Sequence, residues 1–532
     1  MITKRKKASS RVPRIKAVTL DKFAAYVEAR PARLGCWRDG TRGRYPMLAW
    51  LNVHPIVQQR ELASTVGPHA AAIMLTAQHH NQVGIAAGWV TQHMTGPIRA
   101  QSSSEQDRVA MFNTAGAYWV LRNALVELRV GVRAFEAAGT LVRLPYQGNH
   151  RVDALDRLLD LAENLDSLGK APAFSLPRLR EWMAGEEGSQ PWAVSPAWVR
   201  HAFREHAGNV LATYPRYLPD NATLAGVTMG DLNTFWVELL AWGMYMHGAT
   251  TLGSQHLPTI LPLVPRDDFI DALVVATGLS SSVVDRIVAL LTLDGARCSD
   301  GALTPLVPID GHIVPMSSLI TPTSPQRNLL AIVQSTPSMV GEAGRLLGVA
   351  GERATLALLG RLRDVLAASR IKVLRPNGSP AGDLDVVACD PATRTAVIFE
   401  IKWGIAADGN AEVYRTEQGA IEKRAQVVRL REEIDAGRAM PQWPAGWPDM
   451  TGYEFHWYVL TRDVLATRHI RDNDVTIRSY QLLSRTLRAG ARMADLISAL
   501  DSPPVPPVEL CQTQWQRIRY GNLRVEIESI VA

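Results

Sequence analysis

The chain has 532 residues, of which 47% are hydrophobic and 20% charged, a composition typical of a globular protein with at least two cores. Its formal net charge of +6 permits an anionic partner without requiring one. No run reaches the ~18 uncharged apolar residues of a membrane span, because Glu238, His247 and His256 interrupt the most apolar stretch.

The four cysteines stand far apart in the sequence, and none has the spacing of a zinc ligand pair. They are Cys36, Cys298, Cys389 and Cys511. This pattern is typical of free thiols in a reducing compartment. The basic N-terminus is not followed by the apolar stretch of a signal peptide. We therefore expect a soluble, cytoplasmic protein without a membrane partner.

Residues 1–18 form a basic arm, since the first sixteen residues hold seven lysines and arginines and no acid. Basic arms of this kind often contact nucleic-acid phosphates. A solvated, disordered terminus explains the same composition, and the sequence leaves both interpretations open.

Residues 19–265 are predicted to be mainly helical. Apolar residues recur at three- and four-residue spacing in 108–138 and 152–168. Residues 171–195, rich in proline, glycine and charge, are predicted to be a loop, followed by a second helical stretch over 196–246. The role of this region stays open: it could recognise nucleic acid, bind a protein partner, self-associate or hold the C-terminal domain inactive.

Residues 266–337 are predicted to form a helix-turn-helix-like segment followed by a β-hairpin. A serine after Gly278 can cap the second helix, and Asp310-Gly311 between two apolar runs is a strong hairpin signal. A winged-helix DNA reader would have these elements. The second helix carries only Arg286 as a base, so a purely structural helical hairpin is favoured.

Residues 338–532 are predicted to be a compact α/β domain. The pattern indicates a helix over 341–368 and strands at 371–374, 383–388 and 396–403. Further elements follow, namely a helix over 416–436, strands at 453–461 and 475–480, and a strand pair within 517–531. The predicted fold class is thus multidomain α plus α/β.

Polar side chains stand on two successive apolar strands of this domain. Because strand side chains alternate, Glu400 and Lys402 share one face, and Asp383 and Asp385 share one face of the preceding strand. Two carboxylates brought together repel unless a cation lies between them, and Mg²⁺ prefers carboxylate oxygens. A lysine beside such a site can orient a water or stabilise charge on a phosphate.

Gly-x-x-Asp on one strand followed by Glu-x-Lys on the next resembles the PD-(D/E)xK nuclease superfamily, which has the restriction-endonuclease-like fold. The resemblance covers about a quarter of the chain. It implies Asp385 and Glu400 as ligands of Mg²⁺, for which Mn²⁺ can substitute, and Lys402 as the catalytic lysine. It also implies Glu352, on the preceding helix, and Gln426, on the following helix, as supporting catalytic residues.

The chain departs from the family pattern at one position, where Leu384 replaces the proline of the first motif. Strand alternation cannot decide whether Asp383 or Asp385 is the metal ligand. We prefer Asp385 because it lies deeper in the strand.

The helix after these strands carries Lys423, Arg424, Arg429 and Arg431 among several glutamates. These bases could meet phosphate, but a solvated helix of mixed charge is the favoured interpretation.

The sequence therefore supports the hypothesis of a Mg²⁺-dependent nuclease, most simply a DNA endonuclease, whose setting by family analogy is restriction-like or anti-phage defence. The alternative is a non-cleaving nucleic-acid-binding or scaffold module built on a nuclease-like fold.

Overall fold

The computed structural model describes residues 18–37, 43–66, 68–94, 104–148, 177–185, 191–252, 262–294, 302–405, 409–465, 475–502 and 511–531, with 151, 154–155, 158–159 and 407. The basic arm and most of the helix predicted at 152–168 lie outside these residues. Within the described part, no helix is long and apolar enough to cross a bilayer. The chain is a mixed helix and sheet protein.

The N-terminal helical region (residues 18–252) is built mainly from long helices. Helices span Leu20–Ala29 (α1), Arg44–Val66 (α2), Pro68–His93 (α3), Glu105–Arg129 (α4), Pro177–Ala184 (α5), Ala197–Leu211 (α6) and Met229–Leu252 (α7). Short strands span Glu136–Ala138 (β1), Leu141–Leu144 (β2), Thr223–Leu224 (β3) and Val227–Thr228 (β4).

Two predictions in this region are wrong in part. The helix expected over 108–138 ends at Arg129, because Gly131 adopts a left-handed φ of 73° and turns the chain into β1. The loop expected over 171–195 contains α5, where Pro177 occupies the first helical position that proline tolerates.

The middle segment confirms the predicted helical pair and hairpin. It contains Val264–Pro265 (β5), Arg266–Thr277 (α8), Ser281–Leu291 (α9), Leu306–Ile309 (β6), His312–Pro315 (β7), Ser317–Ile320 (α10) and Pro325–Gln334 (α11). Ser280 caps α9 by accepting a hydrogen bond from the backbone of Val283. Arg286 donates to the carbonyl of Ala225 at 2.9 Å, so this base is engaged inside the protein.

The C-terminal segment contains the predicted succession of helix, three strands, helix and strand. Its elements are Val340–Leu359 (α12), Leu366–Leu374 (β8), Pro380–Asp390 (β9), Thr395–Lys402 (β10), Asn410–Asp435 (α13), Met440–Pro441 (β11), Glu454–Thr461 (β12), Thr476–Ser479 (β13), Tyr480–Thr486 (α14), Met493–Asp501 (α15), Gln512–Tyr520 (β14) and Leu523–Val531 (β15).

The helix predicted over 341–368 extends too far and includes the first residues of β8. It ends at Leu359, and a tight turn that includes Asp364 with a φ of 58° redirects the chain into β8. Residues 366–368 therefore belong to the sheet, where they pair with β9. Apolar residues of a buried helix and of a buried strand look alike over so short a stretch.

A six-stranded sheet of order β11-β8-β9-β10-β12-β13 organises this segment. Strands β8, β9 and β10 are antiparallel neighbours, whereas β12 and β13 run parallel to β10. Helix α12 packs with Phe399 and Ile401 on one face. Helix α13 packs with Ile398 on the other face, so the side of β10 that bears Glu400 and Lys402 faces α13.

The last strand pair joins a different sheet. Strand β15 pairs in parallel with β2, giving a four-stranded sheet of order β1-β2-β15-β14. The hydroxyl of Tyr520 donates to the carbonyl of Val27, which ties this hairpin to α1. Part of the segment 338–532 thus lies outside the six-stranded sheet and packs with the N-terminal helical region.

Candidate active site

Asp385 and Glu400 lie side by side on the antiparallel strands β9 and β10. The register pairs Val386 with Phe399, which makes the two carboxylates the next opposed positions along the ladder. The backbone N–H of Ile401 donates to Asp385 Oδ2 at 2.7 Å and fixes its orientation. Glu400 is only 3% exposed. Two acids in so buried a place require a compensating positive charge.

That charge comes from Lys423 on α13. Its Nζ lies 3.1 Å from Asp385 Oδ2 and 2.8 Å from Glu400 Oε2, so one ammonium bridges both carboxylates. Lys423 lies between Ala420 and Val427, which are buried against the sheet at helical spacing. The pattern of buried neighbours three and four residues away is the sequence signal that would have placed Lys423 toward β10.

The two carboxylates and one ammonium shift each other's titration. Burial and, to a smaller extent, the charge of Asp385 raise the pKa of Glu400 to about 8 against the opposing effect of Lys423. Burial acts to lower the pKa of Lys423, but the charges of Glu400 and Asp385 outweigh burial and raise it. One ammonium cannot neutralise two acids, so Lys423 stays charged while the most buried acid resists ionisation.

One oxygen of this cluster is left without a hydrogen bond. Glu400 Oε1 is buried and has no donor among the described residues, whereas its Oε2 binds Lys423. An unpaired buried carboxylate oxygen is costly in a folded protein. It is the feature expected where a further cationic or donor ligand completes the site.

A cavity of about 390 Å³ opens beside Glu400, between the β8–β9 turn and α13. Asp383, Lys423 and Gln426 line it, so the structure brings Gln426 to the site. The wall is completed by Arg375, Ala381, Gly382, Val427, Arg429, Leu430 and Glu433. Asp385 holds the contacts to Ile401 and Lys423, whereas Asp383 is exposed on the cavity wall.

Lys402 shares a face with Glu400 but does not contact the two carboxylates in the described part of the chain. Its side chain is exposed and lies over Gly419 of α13, where an added Cβ would be 2.4 Å from Lys402 Cε. Gly419 stands one helical turn before Lys423. Lys402, which extends from β10, and Lys423, which belongs to α13, therefore lie near the same face of α13.

Glu352 forms an ion pair with Arg370 of β8. Arg370 Nε donates to Glu352 Oε2 at 2.7 Å, and this is the contact that the structure gives that carboxylate. Arg370 has a φ of 58° and lies between Ser369 and Ile371 of β8, which pair with Val386 and Leu384 on either side of Asp385. The hydrogen bond to Glu352, with weaker effects of Asp383 and Asp385, raises the pKa of Arg370. Sequence reasoning missed this link.

The carboxylates of Asp385 and Glu400 are chemically suited to a hard divalent cation. Carboxylate oxygens are the ligands that Mg²⁺ prefers, and it usually takes only one or two of them. Asp385 and Glu400 converge on one ammonium, which shows that they can share one cation, and Glu400 Oε1 has capacity to spare. No cluster of three or more histidine, cysteine or acidic residues placed to hold a metal occurs among the residues described.

Comparisons of the chain with protein-family models, with curated proteins and with solved structures find no match.

Proposed function

We propose that the chain is a divalent-metal-dependent nuclease that hydrolyses phosphodiester bonds, with DNA as the favoured substrate. The observation that supports this most directly is the convergence of Asp385 and Glu400 on a single positive charge beside an open cavity. Carboxylate oxygens are the ligands that Mg²⁺ prefers, and a buried acid pair is costly without a cation to compensate it.

In this proposal Asp385 and Glu400 hold Mg²⁺, which supplies Lewis acidity toward a phosphoryl oxygen and lowers the pKa of a water. Lys402 orients that water or stabilises negative charge developing on the phosphate. Gln426 on the cavity wall donates a hydrogen bond to the substrate strand. The N-terminal helical region recognises the substrate or a partner protein.

The test is a cleavage panel of linear, circular and single-stranded DNA and RNA, each with Mg²⁺ or Mn²⁺. Asp385→Asn, Glu400→Gln and Lys402→Ala should each lower cleavage by at least about 100-fold, since each removes charge from the reacting centre. Glu454→Gln, which removes the charge of an exposed acid at the start of β12, is the matched control. Acidic-residue variants that cleave as well as the parent would refute the proposal.

A non-cleaving nucleic-acid-binding or scaffold module is the competing function, and one observation favours it. Lys423 already compensates the two acids, as it would in a purely structural ion cluster. Calorimetric titration with Mn²⁺ separates the two functions. Binding that Asp385→Asn abolishes supports the nuclease, whereas a chain that binds no cation under any condition supports the scaffold.

A further inference from the structure

The position of Lys423 has a consequence for how the site takes up a cation. Its ammonium contacts Asp385 Oδ2 at 3.1 Å and Glu400 Oε2 at 2.8 Å. Mg²⁺ binds carboxylate oxygens at about 2.0–2.1 Å. A cation that binds both of these oxygens must lie between them, in the space that the ammonium fills, so the two cannot be there together.

The charges also make the two occupants exclusive. A lysine ammonium and a divalent cation repel strongly at the separation of a shared carboxylate pair. Each of them satisfies the same need, which is to neutralise two acids of which one is 3% exposed. Occupancy by one therefore lowers the affinity for the other by the same factor, as linkage requires.

The surroundings of Lys423 leave room for its ammonium to move away from the two carboxylates. Its side chain is 23% exposed and borders the cavity. The four-carbon stem of a lysine is flexible, so the ammonium can change position. The exposed Asp383 stands on the cavity wall and can receive the ammonium. Arg375 and Arg429 on the same wall limit how far a second positive charge is tolerated there.

We propose that Lys423 is a built-in counter-cation that a divalent metal ion must displace from Asp385 and Glu400, so that the chain itself raises the metal concentration at which the site loads. This regulation of the site rests on the proposed function in taking a divalent cation as the ligand. Lys423 thereby acts as a positioning residue, which keeps the two carboxylates together until the cation replaces it.

The test is calorimetric titration of Mn²⁺ and Mg²⁺ into the full chain and two variants. Lys423→Met removes the charge but keeps most of the volume, and it should bind either cation about tenfold or more tightly than the parent. Arg429→Met removes an equal charge from the wall of the same cavity without touching either acid. Its affinity should change by less than about threefold, because water screens that charge.

Thermal unfolding provides a second measurement that does not depend on cleavage. Without added cation, Lys423→Met should unfold at a lower temperature than the parent, because Glu400 loses its partner. Saturating Mn²⁺ should raise the unfolding temperature of Lys423→Met more than that of the parent. Lys423→Arg keeps the charge and should behave as the parent in both measurements.

Three outcomes overturn the inference. The first is an affinity of Lys423→Met for the cation equal to that of the parent, the second is a weaker affinity, and the third is no cation binding by either protein. The nuclease proposal fails separately. If the parent cleaves no nucleic acid but Lys423→Met binds Mn²⁺ more tightly, the displacement stands and the nuclease proposal fails. If the parent cleaves nucleic acid but Lys423→Met binds Mn²⁺ with unchanged affinity, the nuclease proposal stands and the displacement fails.

Discussion

Two lysines approach the carboxylate pair from different elements, and their surroundings differ. Lys423 is held by two ion pairs across the α13 interface, whereas Lys402 is exposed on β10 and lies over Gly419. A Cβ at this position would displace the end of the Lys402 side chain. The exposed position of Lys402 suits a group that must reach a substrate, and the two ion pairs of Lys423 suit a group that stabilises the protein before the substrate arrives.

The raised pKa of Glu400 predicts a pH dependence of stability. Its pKa rises from an ordinary value of 4.5 to about 8 in the folded chain, chiefly through burial. Between these values the folded chain binds more protons than the unfolded chain, so this carboxyl lowers the free energy of unfolding as the pH rises. The decline amounts to at most about 1.4 kcal/mol for each pH unit.

Denaturant unfolding from pH 5 to pH 8 in the presence of a chelator measures this dependence. Glu400→Gln, which cannot ionise, should show a flatter profile than the parent over this range. Glu422→Gln changes an exposed acid on α13 and should keep the parental slope. Equal slopes for Glu400→Gln and the parent would show that the buried carboxyl does not titrate here.

At the scale of elements, the sequence predicted β9 and β10 to within three residues and α13 except for its first six residues. Each of these elements has its own periodicity, so local patterning was sufficient. Pairing of Asp385 with Glu400 followed from strand alternation and a short connection. The role of Lys423 was not predicted, because acids and bases are interleaved along α13; the apolar Ala420 and Val427, three and four residues away, were the signal that could have selected it.

Helix α12 approaches β10 through Gly351, and this contact gives a prediction at the same scale. An added Cβ would lie 2.7 Å from Ile401 Cγ2 and 2.8 Å from the ring of Trp403. Gly351→Ala should therefore lower the free energy of unfolding by about 1–3 kcal/mol, despite the better helix propensity of alanine.

Gly344 on the same helix is the matched control for this substitution. It is exposed, and an added Cβ there would meet no atom within 4 Å. Gly344→Ala should raise the free energy of unfolding by up to about 1 kcal/mol. Chemical denaturation of both variants decides the matter: a neutral Gly351→Ala would mean that α12 does not pack so closely on β10.

On the scale of the whole molecule, the middle segment and the N-terminal helical region both contact the helix of the candidate site. Arg327 of α11 forms a 2.7 Å ion pair with Glu412 near the start of α13, the helix that carries Lys423. Gly409, just before α13, lies against Trp119 and Asn123 of α4. A ligand that moved α4 would therefore act on the same helix that holds the carboxylate pair. These long-range contacts depend on the assembled fold, which local sequence patterns do not encode.

The pairing of β15 with β2 also joins residues almost 400 positions apart, and it predicts which parts of the molecule lose stability together. Val525 on β15 is fully buried in the core of the N-terminal helical region, whereas Val386 on β9 is fully buried beneath α12. Val525→Ala and Val386→Ala remove the same two methyl groups and should each cost about 2 kcal/mol. Hydrogen exchange should distinguish them, because local opening follows the packing around each site.

In Val525→Ala the amides of α1 and α4 should exchange faster while those of β9 and β10 keep their protection. The converse should hold in Val386→Ala. This pattern would show that the C-terminal hairpin belongs energetically to the N-terminal helical region and that the sheet bearing Asp385 and Glu400 is a separate unit. If both variants accelerate exchange equally in all of these elements, the molecule opens as one cooperative unit, and the contacts of α13 with α4 and α11 are strong enough to couple its two ends.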